Sequence, residues 1–347
     1  MWSNLRADAA LRELEALSGS RLEVTELHAH SLDVLARVVP FDGACMGAVD
    51  PDTLLLTSGV TVGFDPSADE SDRFVEIEYG TPDPNSFGAL VARRVPLVAD
   101  AGGVAPRRRL DLRYNELGKL LGFAHEVRLV FTTDDMCWAV GDLYRSGNSD
   151  AFDDRELAFL EVASRHVAAA TRAAAHGPVT ETGIAPFGAA VLLIAADGSV
   201  TGVTEAARSW IEGLRPDVRR RLQFAVRAAV TVARTGVPTA STRLRLGGVW
   251  TVVRAAPMQT SDATPVVAVT IDQASPIDLT ELRLSAHGLS RREREVCAEV
   301  LAGGSTKEIA QRLFIGANTV QDHLKSIFTK TGVRSRRELV AVLSTTA

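Results

Sequence analysis

The stretch ANTVQDHLKSIFTKTG, residues 317–332, has the pattern of a short amphipathic helix that ends at a glycine. Successive residues of a helix lie about 100° apart around its axis, so residues three and four apart share a face. The apolar face predicted to be core consists of Val320, Leu324, Ile327 and Phe328. The opposite face is polar and consists of Asn318, Asp322, Lys325 and Thr329, with Gln321 and Ser326 on its flanks. The pattern predicts a helix that packs on one side and is free to contact a polar partner on the other.

Three helix starts of the form S-x-x-E surround this stretch. A serine at a helix N-terminus and a glutamate three residues later satisfy each other's backbone N–H groups, an arrangement called a capping box. The pairs are Ser290 with Glu293, Ser305 with Glu308, and Ser335 with Glu338. Only a short turn at residues 314–316 separates the second and third predicted helices, which is typical of a helix-turn-helix. Residues 281–347 are therefore predicted to form an all-α, four-helix domain.

The same region resembles a known family. The segments REREV, GGSTKEIA, TVQDHLKSIF, KTGV and SRREL are similar to the LuxR-type (NarL/FixJ-type) DNA-binding domain of bacterial transcription regulators. The resemblance covers about 60 residues without gaps, and it implies that the helix at 317–331 enters the DNA major groove. By this resemblance, Gln321, Asp322 and Lys325 are expected to contact bases or phosphates, and Thr306 and Lys307 to contact phosphates. Asn318, Thr319 and Thr329 complete the predicted set of DNA-binding residues. Arg334 and Arg336 either contact phosphates or form a solvated helix start.

Three positions depart from the family pattern. Gly316 stands where the family usually has a serine cap, and glycine caps a helix nearly as well. Gln321 stands where lysine is common, and Asp322 where an apolar or basic residue is frequent. The Asp322 carboxylate repels phosphates, but it can accept a hydrogen bond from cytosine N4 in the major groove. Alternatively, the Asp322 carboxylate pairs with Lys325 one turn away, or it is simply solvated. His323, beside the core face, is interpreted as a packed histidine rather than a phosphate ligand.

Residues 1–175 are predicted to form a sensor domain. Helical patterns come first, then strand-like runs, and VRLVFTTDDMCWAVGDLYRS reads as two strands joined at residues 133–135. A closing helix follows, with Asp153 and Glu156 at capping-box spacing. This order, with Trp138 and Gly141 in the hairpin and AFDDRELAFL at the helix start, resembles a GAF domain. The resemblance implies an α/β fold that senses a small molecule or dimerises.

Residues 188–272 are predicted to form a second α/β domain. An apolar strand, an Asp197-Gly198 turn, a second strand and a helix follow one another closely, and three further strands close the segment. This pattern resembles a PAS-type domain, another sensing or dimerising module. Residues 176–187 and 273–280 lack apolar periodicity and are interpreted as linkers.

Charge is unevenly distributed along the chain. The 347 residues carry a net charge of −5, yet residues 281–347 carry +4 and the remainder −9. A basic end domain on an acidic body favours a nucleic-acid partner at that end. No apolar run of 18 residues or secretory signal is present, and the three cysteines fit no zinc or CxxC pattern. We therefore expect a cytoplasmic location, no membrane contact and no metal.

Other candidate sites have simpler interpretations. His28 and His30 lie two apart on a predicted helix and face different ways, which argues against a metal site. Cys45 and Cys137 are interpreted as packed thiols rather than a redox pair. Asp134 and Asp135 lie in a hairpin turn, so a phospho-acceptor role is disfavoured. The basic run PRRRLDLR, residues 106–113, is interpreted as an exposed loop, with an anionic ligand as the alternative.

The sequence as a whole predicts a multidomain α+β transcription regulator that is not an enzyme. No phosphate-binding loop, dinucleotide fingerprint, nucleophile elbow or zinc-protease motif occurs. The expected partners are double-stranded DNA with palindromic half-sites, a second copy of the chain, and a small-molecule effector of unknown identity. No cofactor is predicted. The alternatives are a ligand-free dimerisation or docking scaffold joined to the DNA-binding domain, and an N-terminal enzyme fused to it.

Overall fold

The computed structural model describes residues 4–99, 116, 122–175, 190–261 and 264–344. The chain divides into two compact units. The first comprises Met1–Thr132 and Cys137–Gln273, and the second comprises Thr133–Met136 and Ala274–Ala347. The predicted linker 176–187 and the basic run 106–113 lie outside the described residues. Among the described helices, none combines the length and hydropathy needed to cross a membrane.

The first unit begins with a five-stranded antiparallel sheet flanked by helices. The helices are α1 (Asn4–Ala16), α2 (Val24–Ala36), α3 (Ala68–Gly80), α4 (Phe87–Arg93) and α5 (Asp154–Ala175). The strands are β1 (Gly43–Ala48), β2 (Val60–Val62), β3 (Leu97–Ala99), β4 (Phe123–Thr133) and β5 (Met136–Ser146), in the spatial order β2-β1-β5-β4-β3. Helices α1, α2 and α5 pack on one face of the sheet, where their apolar side chains form one core with β1, β4 and β5.

The predicted hairpin and closing helix are both present. Asp134 and Asp135 connect β4 to β5 with φ of 51° and 61°, the left-handed pair that a two-residue type I′ hairpin turn requires. At the start of α5, the Glu156 backbone N–H donates to Asp153 Oδ1 at 2.8 Å, and the Asp153 N–H donates to Glu156 Oε2 at 2.9 Å. The local sequence is sufficient for both features.

A second antiparallel sheet follows in the same unit. Its strands are β6 (Ala190–Ala195), β7 (Val200–Val203), β8 (Ala240–Leu246), β9 (Val249–Gln259) and β10 (Pro265–Gln273), and its helices are α6 (Glu205–Gly213) and α7 (Pro216–Arg234). The spatial order is β7-β6-β10-β9-β8. Both sheets thus have the same strand order, in which the first strand of the sheet pairs with the last and neither lies at an edge. The fold class is α+β, as predicted.

The two sheets are joined by buried contacts. Leu55 and Val75 of the first half belong to the apolar core of the second. Asp50, which follows β1, accepts from the backbone N–H and the guanidinium of Arg243 on β8 at 2.5–2.9 Å, and its side chain is 1% exposed. Arg243 also donates to Asp52. These contacts make the two predicted sensor segments one packed body.

The predicted linker 273–280 differs from the structure over most of its length. Helix α8 (Pro276–Ala286) begins within it, with Ser275 and Asp278 forming a capping box. Proline at the first helical position is favourable because its missing N–H has no partner there anyway. Residues 276–280 of this predicted linker are therefore helical, because their polar, proline-containing composition belongs to a capped helix start.

The C-terminal unit is a helical bundle. Its further helices are α9 (Arg291–Leu301), α10 (Thr306–Arg312), α11 (Ala317–Thr331) and α12 (Arg336–Ser344). The predicted four helices are thus preceded by α8. Buried apolar side chains of these helices and of the turns between them make a separate core, which consists of Leu284, Leu289, Val296, Cys297, Val300, Ile309, Val320, Leu324, Ile327, Val333 and Leu339. The described bundle is all-α, as expected.

Replacing Arg243 should test the join between the two sheets. We expect Arg243→Ala to lower the free energy of unfolding by about 3 kcal/mol, because it leaves the buried Asp50 carboxylate without its charged partner. Urea unfolding followed by tryptophan fluorescence measures this. The control is Arg254→Ala, whose half-exposed pair with Asp272 at 3.6 Å should contribute less than about 1 kcal/mol. Equal losses in the two variants would contradict the assignment.

Candidate nucleic-acid interface

Helix α11 has one buried and one exposed face. Val320, Leu324 and Ile327 are at most 3% exposed, and the half-buried Phe328 packs against the same core. The polar residues Asn318, Thr319, Gln321, Asp322, Lys325 and Thr329 are all exposed. His323 is half-buried beside the core face. The helix therefore presents a continuous polar surface of about three turns.

The ends of α11 are set by glycines and by a strained turn. Gly316 lies at the N-cap in extended conformation without a side-chain cap, and Gly332 ends the helix in the left-handed region at φ 71°. Between α10 and α11, Phe314 adopts φ 53° and is 94% exposed. A non-glycine residue in that region costs about 1 kcal/mol or more. The turn is therefore held by the helices on either side of it.

Asp322 and Lys325 form only a loose ion pair. Their charged atoms are 3.9 Å apart, and the side chains are 77% and 80% exposed. A pair so exposed contributes at most about 1 kcal/mol and is easily exchanged for another partner. Both charged groups are thus available to an incoming ligand. The Thr329 hydroxyl, by contrast, donates to the Lys325 backbone carbonyl at 2.9 Å.

A small hydrogen-bond network joins α10, α11 and α12 at one edge of this surface. Thr306 Oγ1 accepts from Arg336 Nη2 at 2.8 Å and from Gln321 Nε2 at 3.3 Å. Arg336 Nη1 donates to the Gly304 carbonyl at 2.8 Å. A hydroxyl has two lone pairs and one proton, so the Thr306 proton remains free to be donated outward. Arg336 holds the turn before α10, which sequence reasoning did not anticipate.

The other predicted cations lie around the same edge. Lys307 is exposed at the start of α10, and Arg334 is exposed after α11. The Arg334 backbone N–H donates to Glu338 Oε2 at 2.8 Å. The third predicted capping box is consequently half formed: the Glu338 N–H donates to Ser335 Oγ, but the Glu338 carboxylate binds Arg334. The boxes at Ser290 and Ser305 are complete.

Glu293 binds the start of α9 to α11. Its carboxylate accepts from the Ser290 N–H at 2.7 Å, from Ser326 Oγ at 2.6 Å and from Lys330 Nζ at 2.8 Å. Lys330 also donates to the Gly288 carbonyl at 2.9 Å. Burial disfavours the Glu293 anion, but the hydrogen bonds from Lys330, Ser326 and Ser290 outweigh it and lower the pKa to about 2. The S-x-x-E pattern predicted only the first of these contacts.

The remaining candidates occupy separate places in the first unit. Buried His28 shares a hydrogen bond with Thr171, and His30 one with Glu13; burial lowers the pKa of His28 to about 3. The Cys45 thiol contacts Asp142, whereas the Cys137 thiol donates to the Ala139 carbonyl. None of the three cysteines, all of which lie in the described part of the chain, forms a disulfide. No cluster of potential metal ligands occurs in the described part of the chain.

Comparison with known proteins agrees with this geometry. Residues 287–343 match the family described as bacterial regulatory proteins, luxR family. The oxygen regulatory protein NreC of Staphylococcus aureus is 44% identical over 52 residues, which are 15% of this chain and 24% of that protein. The chain thus spans about a quarter of the length of the curated relatives that it matches. Residues 287–343 form a LuxR-family helix-turn-helix domain.

Some solved structures show a partial likeness to this chain. The match to the phycoerythrobilin-bound GAF domain of a cyanobacterial phytochrome spans 48% of this chain and 95% of that domain's chain, at 14% identity and a TM-score of 0.31. The match to VqmA in the Vibrio cholera VqmA–ligand–DNA complex spans 45% of this chain and 82% of the VqmA chain, at 17% identity and a TM-score of 0.21. At these TM-scores the likeness assigns neither fold nor ligand to this chain.

The low pKa of Glu293 makes the C-terminal unit sensitive to acid. A carboxyl whose pKa is lower in the folded than in the unfolded state stabilises the fold above its unfolded pKa, near 4.5. That stabilisation is lost as the pH falls from about 4.5 toward 2. We expect Glu293→Gln to speed amide hydrogen exchange in α9 and α11 at pH 6, and the difference from the natural protein to shrink near pH 2.5.

The matched control for this measurement is Glu308→Gln. Glu308 also closes a capping box, with Ser305, but it is exposed, and its hydrogen bonds to the described residues stay within the start of α10. Its substitution should raise exchange in α10 only. Faster exchange in α11 from Glu308→Gln, or none from Glu293→Gln, would contradict the role given to Glu293.

Proposed function

We propose that the chain is a cytoplasmic, DNA-binding transcription regulator whose N-terminal segments control how its helix-turn-helix domain binds promoters. The observation that carries this proposal is the continuous polar face of α11, exposed on a helix whose other face is the core of a LuxR-family domain. A helix of this shape fits the major groove of B-DNA, while the preceding helix crosses the backbone. We do not assign it a catalytic activity.

Thr306 and Lys307 are proposed to contact phosphates beside the groove. Among the described residues, the Thr306 hydroxyl only accepts hydrogen bonds, and Lys307 is an exposed cation one residue further on. Arg334 is proposed as a further phosphate contact. For Arg336 we propose a positioning role instead, because its guanidinium already binds Gly304 and Thr306. These contacts fix the register of the protein on DNA without reading sequence.

Base reading is assigned to the exposed face of α11. Asn318, Thr319, Gln321, Asp322, Lys325 and Thr329 are the residues proposed to reach the groove. Lys325 supplies a positive donor, which suits guanine O6 and N7 or a phosphate. Asp322 supplies an acceptor, which suits the exocyclic amino group of cytosine. An acidic residue there weakens binding to phosphates in general, so it raises specificity at the expense of affinity.

For the N-terminal part, we propose a GAF-like sensor at residues 1–175 and a PAS-like domain at 188–272, joined to the DNA-binding domain of 281–347. A small molecule that binds two states of this part unequally shifts their populations. In a homodimer this changes the separation of the two α11 helices. Two-fold symmetric readers favour palindromic half-sites about 34 Å apart.

A ligand-free dimerisation or docking scaffold is the competing proposal for the N-terminal part, favoured by the buried contacts that make its two sheets one body. Thermal unfolding of the full chain against metabolite pools separates the two proposals, because a ligand that binds only the folded state raises the melting temperature. Turnover of a metabolite in the same assay would instead favour an N-terminal enzyme.

Genome-fragment capture with the full chain tests the central proposal. We expect enrichment of a palindromic motif, and binding that weakens steeply with salt. Enrichment no better than random fragments, with and without metabolite extract, would overturn DNA reading by this chain. The motif recovered then serves as the target for two variants of α11.

Lys325→Ala should weaken binding to every sequence. We expect the affinity to fall about equally for the motif and for random DNA, and the slope of log affinity against log salt to fall by about 1. Fluorescence anisotropy with labelled duplexes measures both quantities. Arg291→Ala is the control, since Arg291 is 84% exposed but lies on α9. If Arg291→Ala also weakens binding to every DNA sequence by the same amount, the loss of affinity in Lys325→Ala reflects only the change in net charge.

Asp322→Asn separates base reading from solvation. If the carboxylate reads a base, binding to random DNA strengthens while the penalty for the wrong base at one position falls by about 1–3 kcal/mol. If Asp322 is merely solvated, binding strengthens and the preference at every position is unchanged. Competition with a library of single-base variants of the motif distinguishes these outcomes.

A further inference from the structure

Helices α1 and α5 pack against each other and contribute to the core over the first sheet. On α1 the buried side chains are those of Ala7, Ala10 and Leu14. On α5 they include Phe159 and Val167. Residues three and four apart share a helix face, so each helix turns one stripe toward the core and an opposite stripe away from it.

The stripes that point away from the core form what we call the outer face. It consists of Leu5, Ala9, Arg12 and Ala16 of α1 and of Ala158, Val162, Arg165 and Ala169 of α5. In both helices the spacing is four, three and four residues, which is the spacing of a heptad repeat. Leu5 is 82% exposed and Val162 is 46% exposed. Apolar stripes at heptad spacing pack against other helices, and alanine side chains allow the helix axes to approach to about 8 Å.

The outer face also carries charged side chains that find no partner within the described chain. An acid lies four residues before each arginine of the outer face, namely Asp8 before Arg12 and Glu161 before Arg165. All four side chains are exposed, and none forms an ion pair or a side-chain hydrogen bond with a described residue. On α9 the same spacing does form an ion pair, at 3.4 Å. The four charged groups are therefore available to a partner.

The balance of charge indicates which partner the outer face fits. The exposed charged residues of α1 and α5 are four arginines and four carboxylates, namely Arg6, Arg12, Arg155, Arg165, Asp8, Glu15, Asp154 and Glu161. Residues 1–280 together carry a net charge of −9, so two copies repel each other over most of their surface. Two copies meet at the least electrostatic cost where the surface is neutral. A nucleic acid or an anionic membrane would instead require an excess of basic residues.

A second copy also supplies partners for the four unpaired charges. A two-fold contact places the same patch of both copies face to face. With the two-fold axis perpendicular to the helices, each helix faces its equivalent in the other copy and runs antiparallel to it. The acid that precedes each arginine by four residues then lies opposite the arginine of the other copy. Both helices of the outer face meet this condition.

We propose that the outer face is the homodimer interface of the first unit, in which α1 and α5 of two copies pack antiparallel as a four-helix layer. Arg165 of each copy binds Glu161 of the other, and Arg12 binds Asp8. The apolar side chains of the outer face are buried between the copies. This proposal rests on the homodimer proposed above, and it adds the surface and the register of the contact.

Charge reversal with rescue tests the interface. Arg165→Glu or Glu161→Arg alone places like charges opposite each other twice in each dimer, so each should raise the dimer dissociation constant about 10-fold or more. The double variant E161R/R165E restores opposite charges across the contact and should bring the constant back to within about threefold of the natural value. Both positions are exposed, so the variants retain the fold. Analytical ultracentrifugation of the full chain without DNA measures the constant.

Two further variants serve as controls. Arg220→Glu makes the same change at an exposed position of α7 and should leave the dissociation constant unchanged. Val162→Asp places a charge among the apolar side chains of the outer face and should separate the copies. An unchanged constant in both single reversals, a loss in Arg165→Glu that the double variant does not recover, or equal weakening by Arg220→Glu would each overturn the proposal.

The outcome is separable from that of DNA reading, because the dimer is measured without DNA. A dimer that charge reversal does not weaken, in a protein that captures a palindromic motif, removes this interface and leaves the regulator proposal standing. A dimer that the double variant restores, in a protein that captures no motif, does the reverse. A natural protein that is monomeric at every concentration overturns the interface.

Discussion

The carboxylate of Glu293 restrains the orientation of helix α11. The apolar face of α11 is a narrow stripe of Val320, Leu324 and Ile327, and apolar contact alone is not directional. Hydrogen bonds to a charged group are directional and roughly twice as strong as neutral ones. By binding Ser326 and Lys330, one turn apart on α11, Glu293 prevents the helix from rolling about its axis. The outward direction of Asp322 and Lys325 depends on that restraint.

The features that sequence predicted well are those encoded within a few residues. The polar face of α11 follows from helical periodicity, and the caps at Ser290 and Ser305 follow from the S-x-x-E spacing. The turn at Asp134 and Asp135 follows from two strand patterns that meet at residues tolerant of positive φ. In each of these cases the physical cause lies inside one turn of helix or one hairpin.

The features that sequence missed depend on residues far apart in the chain. Ser326 lies 33 residues from Glu293, and Asp50 lies 193 residues from Arg243. Nothing local marks Arg336 as a partner of Thr306 rather than of phosphate. Composition misled at residues 276–280, where proline and aspartate belong to a helix start rather than a linker.

The order of strands shared by the two sheets affects how the protein is made. In the first sheet β1 pairs with β5, so Cys45 lies opposite Asp142, and in the second Ala190 lies opposite Ile271. Neither sheet closes until its last strand has been synthesised, and such non-local pairing slows folding. The helical C-terminal unit has local contacts and folds quickly once it leaves the ribosome. During synthesis, therefore, the early strands of each sheet have unpaired edges, and the need for chaperones falls on the two sheets rather than on the C-terminal helices.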